Sequence, residues 1–137
     1  KWDRRYRTIN WLRKLRKDKE IRVRLLMTTG CIEYWFMLHR KFYMPSLQTV
    51  AEKEKVIAEL KVEEPLYEKG NRGITSKIAR DYPVAVTNAR RTVEKLLAEG
   101  LPGLEDTDER NRWLQRKCLT FSNVYEAIEF LESLEKL

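Results

Sequence analysis

The feature that most constrains the fold is a helical segment, a break and a second, longer helical segment in residues 74–101, ITSKIARDYPVAVTNARRTVEKLLAEGL. The break falls at Pro83, because proline lacks the backbone N–H that a helix interior requires. Apolar residues after the break follow helical spacing and form one predicted buried side: Val84, Ala89, Val93 and Leu96. Because the connection is so short, the sequence predicts a helix-turn-helix unit.

The second helix of this unit carries polar side chains on its first turns. The helix dipole disfavours cations there, so Arg90 and Arg91 indicate a negatively charged partner. In a helix-turn-helix, the start of the second helix enters the major groove, where arginine contacts guanine or phosphate and asparagine pairs with adenine. The residues expected to contact double-stranded DNA from this unit are Thr75, Ser76, Val86, Thr87, Asn88, Arg90, Arg91 and Lys95.

The distribution of charge also favours a polyanionic partner. The chain has a formal net charge of +7, and residues 1–44 hold 13 Lys and Arg against 4 Asp and Glu. A basic N-terminal third on a near-neutral body is typical of proteins that bind nucleic acid or an anionic membrane surface. The predicted basic helix over residues 2–17 has three possible roles: a solvated face, an arm on the DNA backbone or a membrane-surface helix.

A predicted apolar helix over residues 20–43 suggests an interface between two copies. Its central part, residues 25–38, is too apolar to face water, yet it is too short and too interrupted by Glu33 to cross a membrane. We therefore expect no membrane partner and a homodimer that buries this helix together with the C-terminal helix. The expected interface residues are Trp35, Leu38, Phe42, Val124, Ile128 and Leu131.

Three regions follow from these patterns. Residues 1–45 form a basic and apolar helical extension, residues 46–121 a winged helix-turn-helix, and residues 122–137 a C-terminal helix. Within the middle region, residues 101–121 suggest a β-hairpin with a charged tip. The expected fold is mostly α with a small β-hairpin wing, flanked by N-terminal and C-terminal dimerisation helices.

The stretch IARDYPVAVTNARRTVEKLLAEGL resembles the winged helix-turn-helix of bacterial and archaeal regulators. The segment after it resembles the wing of the multiple-antibiotic-resistance regulator (MarR) family at Asp106, Arg110 and Leu119-Thr120, and the resemblance covers about residues 48–125. It implies that Arg110 and Arg112 contact the minor groove from the wing.

The expected function is sequence-specific binding of double-stranded DNA by a dimeric transcriptional regulator. The alternative is a winged-helix assembly or interaction subunit of a replication or mobile-element complex. The two cysteines, Cys31 and Cys118, form no motif, which favours a reducing, cytoplasmic location. The sequence has no nucleophile-base set, phosphate loop or metal-ligand spacing, so we expect neither an enzyme nor a cofactor or metal, and any small-molecule effector is unknown.

Overall fold

The computed structural model describes residues 2–15, 23–117 and 119–137, and those residues form seven helices. The helices are α1 Trp2–Leu15, α2 Ile32–Leu38, α3 Val50–Glu63, α4 Arg72–Ala79, α5 Tyr82–Ala98, α6 Asp108–Lys117 and α7 Tyr125–Glu135. The expectation of a mostly helical fold is confirmed. None of the helices in the described ranges is long and apolar enough to cross a membrane.

The apolar helix predicted over residues 20–43 is reduced to the short α2. Its predicted start at residues 20–22 lies outside the described residues, as does Cys118. Gly30 has a φ of 75°, a backbone conformation that other residues adopt only with strain. Thr28 forms an antiparallel bridge with Ser122, so residues before α2 satisfy backbone groups across the molecule rather than within a helix.

Helix α6 occupies the segment that was predicted to be a hairpin wing. Two acidic residues lie in its first turn and two basic residues in its last turn, which suits the helix dipole. The Thr107 hydroxyl oxygen accepts a hydrogen bond from the backbone N–H of Arg110 at 3.2 Å, as a helix cap does. The wing prediction is therefore wrong for the described residues, because capping and charge placement favour a helix there.

The hydrophobic core lies where α2 packs against both α3 and α5. Tyr34 of α2, Leu60 of α3 and Leu96 of α5 are fully buried in it. On its other side α5 packs against α7. Helix α5 is thus the central element, with one side in the core and another side left for solvent.

Two of the residues predicted for the dimer interface are already buried within the single chain, and the rest of that interface stays a prediction. Trp35 and Leu38 belong to the core cluster of the single chain. Val124 and Ile128 are half-buried and pack against the same cluster. Phe42 is also half-buried, whereas Leu131 is 61% exposed.

Helices α4 and α5 follow each other in the predicted order, with a short connection between them. Pro83 lies in the first turn of α5, where its missing N–H leaves no helix hydrogen bond unmade. Ala89, Val93 and Leu96 are buried as predicted, but Val84 is exposed and Ala85 takes its expected place. The start of α5 therefore presents a more apolar outer surface than the sequence suggested.

Candidate nucleic-acid interface

The outer side of α5 carries three of the predicted DNA contacts in one stripe. Thr87, Arg91 and Lys95 are each one turn apart and all three are exposed. With 1.5 Å of rise per residue the stripe is about 12 Å long. The Thr87 hydroxyl donates to the backbone carbonyl of Pro83 at 3.1 Å, which fixes the first side chain of the stripe.

The two cations of this stripe rest on one aromatic ring. The guanidinium carbon of Arg91 lies 4.3 Å from the centroid of the Phe42 ring, and Nζ of Lys95 lies 4.9 Å from it. Stacking engages the flat face of the guanidinium group and leaves its N–H edges free to donate. In the part of the chain that the structure describes, neither cation lies within ion-pair distance of a carboxylate.

An ionic network holds the turn between α4 and α5 in place. Arg40, just after α2, pairs with both Glu64 and Asp81, and Nζ of Lys77 lies 3.1 Å from Glu64. Burial alone would raise the pKa of Glu64, but hydrogen bonds from Lys77 and Arg40 hold that pKa below its ordinary value. Glu64 is therefore charged at neutral pH, and the network orients α5 relative to Phe42.

Two residues expected to read bases have partners inside the chain. Asn88 is buried, and its side-chain amide donates to the backbone carbonyl of Leu38 at 2.8 Å. The base-contacting role of Asn88 is therefore corrected, since its amide joins α5 to the end of α2. Arg90 is exposed, but its guanidinium group pairs with Glu129 of α7.

The predicted wing arginines lie on α6 in opposite environments. Arg110 is 3% exposed, and its Nη1 donates to the carbonyl of Leu104 at 2.7 Å and to Glu126 at 3.2 Å. A minor-groove role for Arg110 is corrected, because its guanidinium group lies in the interior. Arg112 is exposed on the same helix.

The other predicted contacts differ in how much surface they offer. Ser76 is exposed on α4, while the Thr75 hydroxyl donates to the backbone carbonyl of Asn71 at 2.9 Å. Val86 is half-buried and packs against the core. Among the described residues, no group of three or more His, Cys, Asp or Glu side chains is placed to hold a metal ion.

Phe42 is the residue of this candidate interface that sequence reasoning placed elsewhere. It was expected in a dimer interface, yet it supports Arg91 and Lys95 from a distant part of the chain. The aromatic residue carries no local signal of this role, because only the packing of α2 against α5 brings it to the stripe.

The fold and this interface define a mostly helical protein whose α4–α5 pair presents a cationic, aromatic-supported face. Residues 3–131 match the family described as RloB-like protein, and the chain belongs to that family. The resemblance to the MarR family is therefore wrong, and the described residues place α6 where that family's wing was expected. Neither a curated protein nor a solved structure matches the chain.

Proposed function

We propose that this chain binds duplex DNA through phosphate contacts made by the outer stripe of α5. One observation carries the proposal: Arg91 and Lys95 are held on Phe42, and within the described residues no carboxylate neutralises them. The role is one of binding rather than catalysis. The formal net charge of +7 supports attraction to the same partner.

Phosphate contacts suit this stripe better than base contacts do. A guanidinium group that is stacked on a ring offers its N–H edges to phosphate oxygens, and charge-assisted hydrogen bonds of this kind are strong. Asn88 and Arg90 already have partners in the chain. A regulator that selects one operator is therefore less favoured than a protein that binds many duplex sequences with similar affinity.

A duplex titration at several salt concentrations tests the proposal. Compared with the unaltered chain, Arg91→Ala/Lys95→Ala should bind roughly tenfold more weakly at low salt, and the salt slope should lose about two units. The matched control is Arg116→Ala/Lys117→Ala, which removes the same two charges from exposed positions on α6. Circular dichroism of both variants serves as the folding control, and both should keep the helix content of the unaltered chain.

The control separates a binding surface from a general charge effect. If Arg91→Ala/Lys95→Ala retains the salt slope of the unaltered chain, the stripe does not contact phosphate. If the control loses as much affinity as the stripe variant, attraction by net charge accounts for binding and the assignment to α5 fails.

A second candidate function is an interaction subunit of a larger complex. The observation that favours it is the exposed apolar end of α7, where Leu131 is 61% and Leu134 is 47% exposed. The single chain also buries Trp35, so the burial of this residue gives no reason to expect a dimer that binds DNA. A folded chain that shows no salt-dependent duplex binding at all would favour this function over the first.

A further inference from the structure

An open groove with a volume of about 1260 Å³ lies between α5, α7 and the two connecting segments at residues 23–26 and 104–107. Small-molecule pockets are typically about 300–1,000 Å³ and more enclosed. The groove is therefore better suited to side chains of another protein element than to a small ligand.

The groove combines acidic and apolar surface. Five carboxylates and two arginines line it, and both arginines already pair with glutamates of α7. Glu94 and Glu105 are exposed, and among the described residues no cation lies within ion-pair distance of either. Leu26 and Leu104 are exposed in the same groove, the second of them by 50%. A partner with one apolar anchor between cations would satisfy both kinds of surface.

Helix α1 has such a surface on its outer side. Arg4, Arg7, Trp11 and Lys14 are all exposed, and their spacing places them along one side of the helix. Trp11 is 58% exposed. This arrangement, called here the α1 stripe, provides an aromatic anchor flanked by basic side chains, as in helices that bind protein grooves.

We propose that the α1 stripe of a second copy docks in this groove, with Trp11 on Leu26 and Leu104 and with its basic residues on the acidic rim. Each chain has both the helix and the groove, so mutual exchange closes a two-fold dimer in which both copies of each surface are used. This interface is not the one predicted from the sequence, which included the core residues Trp35 and Leu38. Its formation does not require DNA binding.

A charge-swap experiment in the absence of DNA tests the exchange. The helix variant is Arg4→Glu/Lys14→Glu, and the groove variant is Glu94→Lys/Glu105→Lys. In sedimentation equilibrium the unaltered chain should dimerise, and each variant alone should dimerise roughly tenfold more weakly. An equal mixture of the two variants should dimerise like the unaltered chain, because one native pair and one reversed pair form.

The matched control is Lys55→Glu/Arg72→Glu, which reverses two exposed charges outside both surfaces and should leave dimerisation unchanged. The proposal is overturned if the unaltered chain is a monomer, if the single variants dimerise normally, or if the mixture stays as weak as its components. It is also overturned if the helix variant loses duplex affinity while its dimerisation is intact, since the α1 stripe would then be a DNA-binding arm.

Discussion

Arg91 and Arg110 show how environment divides the roles of identical side chains. Arg91 is exposed and stacks on Phe42, so its donors remain available to a partner. Arg110 is buried, and its contacts with Leu104 and Glu126 connect α6 to the start of α7. Among the described residues, its Nε and Nη2 atoms have no hydrogen-bond partner, so the site already carries a desolvation cost.

Removal of the buried arginine should affect stability rather than binding. Arg110→Ala leaves Glu126 in a largely buried site with one of its two arginines gone, and should lower the free energy of unfolding by roughly 2–3 kcal/mol. Arg112→Ala, two residues away and exposed, should change it by less than about 0.5 kcal/mol. Urea unfolding measures both values. Equal effects in the two variants would contradict the interior role of Arg110.

At the scale of elements, the helices with clear periodicity and short connections could be predicted and the irregular segments could not. The α4–α5 pair was predictable because Pro83 and the spacing of Ala89, Val93 and Leu96 agree. Helix α6 was not recognised, because its apolar residues are few and its charges suggested a loop tip. Had that segment been assigned as helix, the four-residue spacing of Arg110 and Leu114 would have placed both on one face of the helix, so that the arginine shares that face with an apolar residue of the kind that a core requires.

The backbone conformation of the segment before α2 requires a glycine at position 30. Substitutions at three glycines separate the two causes, which are the positive φ and the lack of space for a Cβ atom. Gly30→Ala combines a φ of 75° with a new Cβ 3.1 Å from Cβ of Leu47, and should cost roughly 2 kcal/mol. Gly70→Ala has a φ of 86° but open space, and should cost about 1 kcal/mol. Gly103→Ala meets neither obstacle and should be neutral or slightly stabilising. Thermal unfolding ranks the three, and a neutral Gly30→Ala would show that the segment can adopt another conformation.

At the scale of the whole molecule, the sequence indicated that the apolar segment at residues 25–38 must be buried, but it did not indicate which part of the molecule buries it. The apolar run around Trp35 and Leu38 was assigned to a dimer because the predicted domain had little surface to spare. In the structure α2 packs against α3 and α5 of the same chain, and Trp35 and Leu38 are buried there. Such an outcome depends on contacts between distant residues, which periodicity alone does not determine.

The burial of His39 makes global stability depend on pH. Burial, and then the neighbouring charge of Arg40, lowers the pKa of His39 below its ordinary 6.5, although the hydrogen bond to the Trp35 carbonyl opposes this shift. Between the lowered folded pKa and 6.5 the unfolded chain binds more protons. The free energy of unfolding therefore falls as the pH decreases through that window, by at most about 1.4 kcal/mol per pH unit.

Chemical unfolding at pH 7.5 and pH 5.5 measures this dependence, and His39→Phe should remove most of it. The pKa of Glu64 is held below its ordinary 4.5, so the stability that Glu64 contributes is lost only under more acidic conditions. The Glu64 window therefore begins at a lower pH than the His39 window. An unchanged pH dependence in His39→Phe would assign the effect to another group.

The bridge between Thr28 and Ser122 has a consequence for the order in which the chain assembles. Beside it, Asn123 accepts a hydrogen bond from the backbone N–H of Met27 at 2.6 Å and donates to the carbonyl of Leu25 at 2.9 Å. Joining residues so far apart in the chain costs loop-closure entropy and slows folding, whereas α2 packs against α3 and α5 over shorter separations in the chain. We therefore expect the helical centre to condense first and the two flanking segments to close around it late. During synthesis, residues 119–137 leave the ribosome last. Until they do, the backbone groups of Met27 and Thr29 lack the hydrogen-bond partners that Phe121 and Asn123 later supply.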